Sequence, residues 1–251
     1  MSEATVLQMI DHEAKDVPLA DIDVSQRELW VQDRKWDYFT RLRDEDPVHF
    51  CKDSEFGPYW SVTRFADIME VEANWQSFSS DPAITIVDPE EDFPLPMFIA
   101  MDPPKHDEQR MTVQGSVAPK NLKVMESTIR GRVQTVLDSL PVGESFNWVD
   151  KVSIELTTQM LATLFDFPFE DRSKLTRWSD VATGGPETGI VESEEQRQEE
   201  LLECLAYFTN LWEERAKQGL SNDLISMLAH GEATQNMSPQ EYLGNLILLI
   251  V

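Results

Sequence analysis

A histidine and an arginine lie four positions apart in the segment MDPPKHDEQR at positions 101–110. On a helix, residues spaced i and i+4 lie on one face with their β-carbons about 6 Å apart. His106 and Arg110 can therefore hold one anionic group between them. Arginine offers a planar fork that matches a carboxylate, and histidine adds one more N–H donor. The spacing predicts an anion site, although a surface pair without a ligand is its more common explanation.

Two prolines determine where the helix of this pair begins. Pro103 and Pro104 are unfavourable inside a helix, and each disfavours helical structure in the residue before it. The helical pattern resumes at Lys105 and extends to about Val117. Residues 79–100 contain four prolines and are predicted to form one long loop. Ordered loops of that length are commonly functional.

The remaining patterns predict a mainly helical protein with a small β-sheet. The runs VHFC at 48–51 and YWSVT at 59–63 predict a pair of strands, and SFNWV at 145–149 is a further strand candidate. Apolar residues at helical spacing predict the other elements. Those helices cover approximately residues 33–46, 64–74, 122–140, 150–165, 169–183, 194–218, 223–229 and 239–251. Gly184 and Gly185 are predicted to form a hinge between two of them.

The last predicted helix has a clear beginning and an apolar end. Ser238, Pro239 and Glu241 have the layout of a capping box. The helix then continues as YLGNLILLIV to the last residue. Because a natural terminus is normally polar, we expect the polypeptide to continue beyond Val251.

Composition disfavours several classes of function. The chain has 46 acidic and 21 basic residues, which gives a formal net charge of −25. This negative charge disfavours nucleic acid and anionic membranes as partners. The sequence does not open with a basic segment followed by an apolar run, so it predicts no secretory signal. No apolar run is long enough to predict a membrane span. The cysteines and histidines show no metal-ligand spacing. We expect a reduced, cytoplasmic protein without a structural metal.

The segment around His106 resembles one in the bacterial-type cytochromes P-450, which are soluble haem-thiolate monooxygenases. That family carries a sequence of the form ALDPPEHxxxRRxVxxxFTP, whose helix lies against the haem. The matching residues in this chain are Asp102, Pro103, Pro104, His106, Arg110 and Pro119. The order of elements also agrees, and YLGNLILLIV resembles the start of the family's long central helix.

This resemblance implies a fold, a cofactor and two residues that bind it. Residues 1–251 would form the amino-terminal part of a single cytochrome P-450 domain that ends in the central helix. The cofactor would be haem b, and His106 and Arg110 would bind one of its propionates. The family's FxxGxxxCxG loop is missing here, and its acid–threonine pair and ExxR motif are expected to follow the central helix, beyond Val251. An axial cysteine is therefore expected beyond Val251, and no metal ligand or catalytic residue is predicted within this chain.

Two departures from the family pattern concern packing and the cysteines. Val117-Ala118-Pro119 stands where the family has an aromatic residue before Thr-Pro. Cys51 lies in a predicted strand and Cys204 inside a predicted amphipathic helix, and neither has the loop context of a haem thiolate. Both are expected to be buried structural thiols.

The resemblance also implies which residues line a substrate pocket. In the family, the loop before the haem-side helix and the central helix form two of its walls. The predicted pocket residues are Ile84, Ile86, Phe93, Met97, Leu248 and Val251. Such walls suit a substrate held by shape and apolar burial. The loop and last helix are most similar to the bacterial branch that hydroxylates terminal carbons of medium-chain alkanes and fatty acids.

The implied reaction converts RH, dioxygen, two electrons and two protons into ROH and water. A ferredoxin and its ferredoxin reductase would supply the electrons. Basic residues concentrate between positions 105 and 132 and would attract an acidic ferredoxin. They are Lys105, Arg110, Lys120, Lys123, Arg130 and Arg132. A solvated helix face explains the same charges almost as well.

Two other functions remain compatible with the sequence. A helical protein that binds an apolar ligand without redox chemistry would explain the aliphatic loop, the Gly184-Gly185 link and the missing haem cysteine. A cytochrome P-450 that acts on terpenes or sterols is the second alternative.

Overall fold

The structure is a computed structural model that describes residues 8–89 and 92–251. Ten α-helices and one two-stranded sheet are present in those residues, which confirms the predicted mainly α class. The α-helices are α1 Arg27–Val31, α2 Lys35–Glu45, α3 Phe65–Ala73, α4 Lys105–Gln114, α5 Pro119–Asp138, α6 Glu155–Phe165, α7 Ser173–Thr183, α8 Glu194–Arg215, α9 Leu224–His230 and α10 Pro239–Ile250. Short 3-10 helices span Met9–Asp11, Ala14–Asp16, Leu19–Asp21, Phe98–Ala100, Gly115–Val117, Phe169–Asp171 and Pro186–Thr188.

The chain divides into two compact units, the first ending at Asp88 and the second beginning at Pro89. Each unit has its own cluster of buried apolar side chains. The division does not test whether residues 1–251 belong to a single domain, so that expectation stays a prediction.

The first unit contains the predicted strand pair. Strand β1, Val48–Cys51, pairs antiparallel with β2, Tyr59–Val62, so that Cys51 lies opposite Tyr59. The core of this unit forms where α1 and α2 pack against the segment that precedes them. Tyr38 of α2 donates a hydrogen bond from Oη to the Met9 carbonyl at 2.7 Å, and Arg41 donates to the Ala14 carbonyl at 2.6 Å. These bonds satisfy carbonyls of a segment that has little regular structure of its own.

The second unit is organised around the long helix α8. Its buried residues Leu201, Cys204, Phe208 and Leu211 recur at helical spacing and face α7, α9 and α10. Aromatic rings fill the centre of this core. The rings of Phe165 and Phe208 lie 5.4 Å apart in an edge-on arrangement, a geometry that aromatic pairs favour.

Short polar side chains begin three of the helices in this unit. Ser193, Asp223 and Ser238 each accept a hydrogen bond from the backbone N–H three residues later. The Ser238 bond confirms the predicted start of α10. The reciprocal half of the capping box is not made, because the Glu241 carboxylate binds Lys105 and Gln109 instead.

The predicted strand SFNWV at 145–149 is wrong. Asn147 accepts a hydrogen bond on Oδ1 from the Val149 N–H at 3.0 Å, and a π-helix, Val149–Ile154, begins there and leads directly into α6. Asp150, the first residue of the helix predicted at 150–165, lies inside the π-helix. The aromatic and β-branched residues favoured a strand, but an asparagine that satisfies the first free N–H groups favours a helix start.

Candidate functional site

Helix α4 holds the two residues predicted to bind an anion. It begins at Lys105, directly after Pro103 and Pro104 as predicted, and places His106 and Arg110 four residues apart. Its buried face is formed by Gln109 and Val113, which are 1% and 6% exposed. Arg110 is exposed. The helix is therefore held by one face and offers the other to a ligand.

His106 is half-buried and already engaged on one ring nitrogen. Its Nδ1 lies 2.8 Å from the Asp107 carboxylate, and its ring centroid lies 6.4 Å from that of Phe98. Because a carboxylate only accepts hydrogen bonds, Nδ1 carries the proton in this arrangement. Nε2 is then the ring atom that His106 presents to a ligand.

Arg110 forms no hydrogen bond or ion pair with any residue that the structure describes. Other arginines of this unit are paired, as Arg172 is with Glu155 and Arg215 is with Asp166. Met111, which follows Arg110, is an exposed apolar side chain. Ile99 is another, and it lies in the 3-10 helix that contacts α4. An unpaired guanidinium beside apolar surface fits an apolar cofactor that carries carboxylates.

The six predicted pocket residues are divided between the two units. Ile84 and Ile86 belong to the first unit and are 55% and 43% exposed. Phe93 and Leu248 pack against the core of the second unit, where Met97 is half-buried. That these residues line one pocket stays a prediction.

Val251 lies at a cavity of about 230 Å³ in the second unit. The cavity is lined by the end of α10 together with α6 and α7, including the hydroxyl-bearing residues Thr158 and Thr176. Thr158 and Thr176 share a hydrogen bond of 2.6 Å between their Oγ1 atoms. The two threonines make this part of the cavity wall more polar than the apolar pocket predicted from the sequence.

Two residues of α10 that were not predicted from the sequence hold the loop before α4 against this helix. A Cβ on Gly244 would lie 2.1 Å from the Pro96 carbonyl oxygen, so only glycine allows this approach. Asn245 is fully buried and accepts a hydrogen bond on Oδ1 from the Phe98 N–H at 2.8 Å. The signal was present as a Gly-Asn pair within the aliphatic run LGNLILLIV. A buried amide requires partners, and these partners come from the loop and from α4.

Both cysteines are free and buried, as expected, with Cys51 on β1 and Cys204 on α8. Burial raises the pKa of the Cys204 thiol far above its ordinary value. Within residues 8–89 and 92–251, no group of three or more His, Cys, Asp or Glu side chains is arranged to hold a metal ion. None of the described helices combines the length and the apolar character needed to cross a bilayer.

Three of the six basic residues predicted to form a surface between positions 105 and 132 have partners in the structure. Lys105 pairs with Glu241, Arg130 pairs with Glu126, and Arg132 donates to the Gln159 carbonyl. Arg110, Lys120 and Lys123 are exposed and form no ion pair with a described residue.

No protein-family model matches this chain. Linalool 8-monooxygenase of Pseudomonas putida is 27% identical over 241 residues, which cover 91% of this chain and 59% of that protein. A methyl-branched lipid omega-hydroxylase of Mycobacterium tuberculosis is 26% identical over 250 residues, covering 94% and 58%. The solved structure of cytochrome P450-153 from Novosphingobium aromaticivorans is 45% identical, with a TM-score of 0.78 over 91% of this chain and 58% of that one.

Two of these relatives are named for the insertion of oxygen into an organic substrate, and the third is a cytochrome P-450. The chain is similar to cytochromes P-450 over 91–94% of its length and has the fold of the amino-terminal part of these proteins, which confirms the predicted resemblance. It spans 58–59% of the length of these relatives.

Proposed function

We propose that the complete protein is a haem-dependent monooxygenase that hydroxylates an apolar substrate. The observation that carries this proposal is the unpaired Arg110 guanidinium, four residues after His106 on the exposed side of α4. Bound haem b with a thiolate ligand would supply the activation of dioxygen. The thiolate would come from the part of the relatives' length that this chain does not cover, because Cys51 lies on β1 and Cys204 inside α8, and neither has the loop context of a haem thiolate.

His106 and Arg110 would bind a haem propionate. A propionate at the edge of an apolar cofactor is costly to leave unpaired. Arg110 supplies a permanent positive charge and a planar fork of donors. His106 donates from Nε2 when Nδ1 keeps its bond to Asp107, which requires the protonated ring, or donates from Nδ1 when that bond is released. Arginine is therefore the stronger of the two contacts.

The substrate class follows from the pocket residues and one relative. We propose that Ile84, Ile86, Phe93, Met97, Leu248 and Val251 line the pocket. Their side chains form no hydrogen bonds, so they would hold a substrate by apolar burial. The Mycobacterium tuberculosis relative is named as an omega-hydroxylase of methyl-branched lipids. Terminal hydroxylation of medium-chain alkanes or fatty acids is the reaction that agrees with both.

A terpene substrate is the second candidate, because the Pseudomonas putida relative is named as a monooxygenase of linalool. Either substrate requires electrons, which a ferredoxin and a ferredoxin reductase would deliver. Lys120 and Lys123 are exposed basic groups that remain available to an acidic ferredoxin when Arg110 binds the propionate.

A carbon-monoxide difference spectrum of the complete gene product tests this function. We expect the band of a thiolate-ligated ferrous haem. Titration with an alkane, a fatty acid and a terpene then identifies the substrate class from the change in the haem spectrum. A complete protein that binds alkanes but gives no haem spectrum would contradict the proposal and indicate an apolar-ligand binding protein instead.

A further inference from the structure

Asn245 on α10 lies at the centre of a buried polar network in the second unit. Its side chain is fully buried, and Oδ1 accepts from the Phe98 N–H at 2.8 Å. Nδ2 donates to Oε1 of Gln109 at 3.1 Å and contacts Sδ of Met237 at 3.1 Å. With the amide oxygen and nitrogen placed this way, both hydrogen bonds join a donor to an acceptor. The reversed orientation would not allow this.

Gln109 carries the network across α4 to the first turn of α10. Its Nε2 donates to Oε1 of Glu241 at 2.6 Å, and Lys105 pairs with the same oxygen at 2.8 Å. Gln109 is 1% exposed, so water does not replace these bonds. It immediately precedes Arg110, and its position therefore determines how α4 presents that arginine.

Phe98 carries the network into the loop. The N–H of Phe98, directly after Met97, makes the bond to Asn245. The Phe98 ring contacts His106 on α4. Gly244 lets the same loop approach α10 closely, with the Pro96 carbonyl only 2.1 Å from where a Cβ would stand. One amide thus holds both the loop of the predicted pocket and the helix of the predicted propionate site.

We propose that Asn245 is a positioning residue for the hydroxylation, tying the loop of Phe93 and Met97 and the helix of His106 and Arg110 to α10. The substrate wall and the propionate-binding helix then keep one relative geometry. This inference rests on the proposed function. The Phe98 hydrogen bond holds the loop, whereas the Gln109 hydrogen bond holds α4. Asn245→Ala removes both bonds, whereas Gln109→Leu removes only the second.

The test uses the complete protein carrying Asn245→Ala, compared with Tyr242→Phe. Tyr242 is buried on the same helix and donates to the Phe208 carbonyl on α8 at 3.3 Å, so its variant also loses one bond between elements. We expect amide exchange at residue 98 to accelerate about tenfold in Asn245→Ala, as for the loss of one hydrogen bond, and to remain unchanged in Tyr242→Phe. Exchange that is equal in the two variants would overturn the proposal.

Product distribution tests the functional consequence. We expect Asn245→Ala to hydroxylate neighbouring carbons that the wild type leaves unmodified, while Tyr242→Phe keeps the wild-type ratio of products. An unchanged ratio in Asn245→Ala would show that the amide has only a structural role. If the wild type binds no haem, the proposed function fails, yet the exchange comparison still reports on the network.

Gln109→Leu carries the test if Asn245→Ala does not fold. This variant removes the bond to α4 and leaves the bond between Asn245 and Phe98. We expect haem to dissociate about tenfold faster, with exchange at residue 98 close to that of the wild type. Haem dissociation no faster than in Tyr242→Phe would refute the role of the network in positioning α4.

Discussion

Arg177 on α7 and Glu200 on α8 form an ion pair through two parallel hydrogen bonds. Nε lies 2.7 Å from Oε2, and Nη2 lies 2.6 Å from Oε1. This two-bond geometry is the strongest that arginine makes with a carboxylate. Hydrogen bonding to Arg177 holds the pKa of Glu200 below its ordinary value, and Gln196 contributes in the same direction. The pair therefore links the packing of two core helices to pH.

We predict that Glu200→Gln lowers the free energy of unfolding at neutral pH and that this loss disappears in acid. A carboxyl group with a lowered pKa stabilises the fold above its unfolded value, here 4.5, and that contribution is lost as the pH falls through the folded value. Because the pair is partly exposed, the loss should be roughly 0.2–1 kcal/mol. Denaturant unfolding at pH 7 and at successively lower pH measures it.

The matched control for this ion pair is Glu126→Gln. Glu126 pairs with Arg130 across one helix turn, at a distance of 3.2 Å, with both side chains exposed. We expect almost no change in unfolding free energy at any pH. A loss in Glu200→Gln that persists unchanged to low pH would contradict the pH linkage.

Arg110→Ala should weaken haem retention in the complete protein. One charge-assisted hydrogen bond is worth roughly 1.5–3 kcal/mol, which corresponds to a dissociation rate about tenfold faster or more. His106→Ala should have a smaller effect, because Nδ1 is shared with Asp107. Transfer of haem to apomyoglobin measures the rate. Arg27→Ala, at an exposed arginine of the first unit, is the control, and equal rates for Arg27→Ala and Arg110→Ala would exclude the propionate contact.

Enlarging a predicted pocket residue should change which carbon is hydroxylated. Leu248→Phe adds volume on α10, and Ile84→Phe adds volume on the loop of the first unit. We expect each variant to shift the preferred chain length or the hydroxylated carbon, because an apolar pocket selects by shape. Product analysis by mass spectrometry measures the shift. Leu202→Phe, at an exposed leucine of α8, should leave the products unchanged.

Phe208→Ala should destabilise the second unit severely. Phe208 is fully buried and contacts the rings of Phe165, Phe167 and Trp178. Removing such a ring costs about 3–5 kcal/mol, through lost burial and the cavity left behind. Denaturant unfolding measures the cost. Phe78→Ala, at an exposed phenylalanine, should change the free energy of unfolding by less than about 0.5 kcal/mol.

Local signals in the sequence were sufficient to predict most of the elements. Pro103 and Pro104 mark the start of α4, and Ser238 marks the start of α10, because a missing N–H or a capping hydroxyl acts within one helical turn. The same holds for the spacing of His106 and Arg110, which follows from helix geometry alone. The strand predicted at SFNWV was wrong, because an aromatic, β-branched run does not indicate whether a partner strand exists.

Only the tertiary structure decided which polar groups meet. The Phe98 N–H and Asn245 are 147 positions apart in the sequence, and Gln109 and Glu241 are 132 apart. No periodicity or cap relates residues at such separations, since their contact depends on how several helices pack at once. The sequence by itself determined that α4 carries a histidine and an arginine on one face. The fold determined that α4 buries Gln109 against Glu241 and leaves Arg110 exposed, without a partner among the described residues.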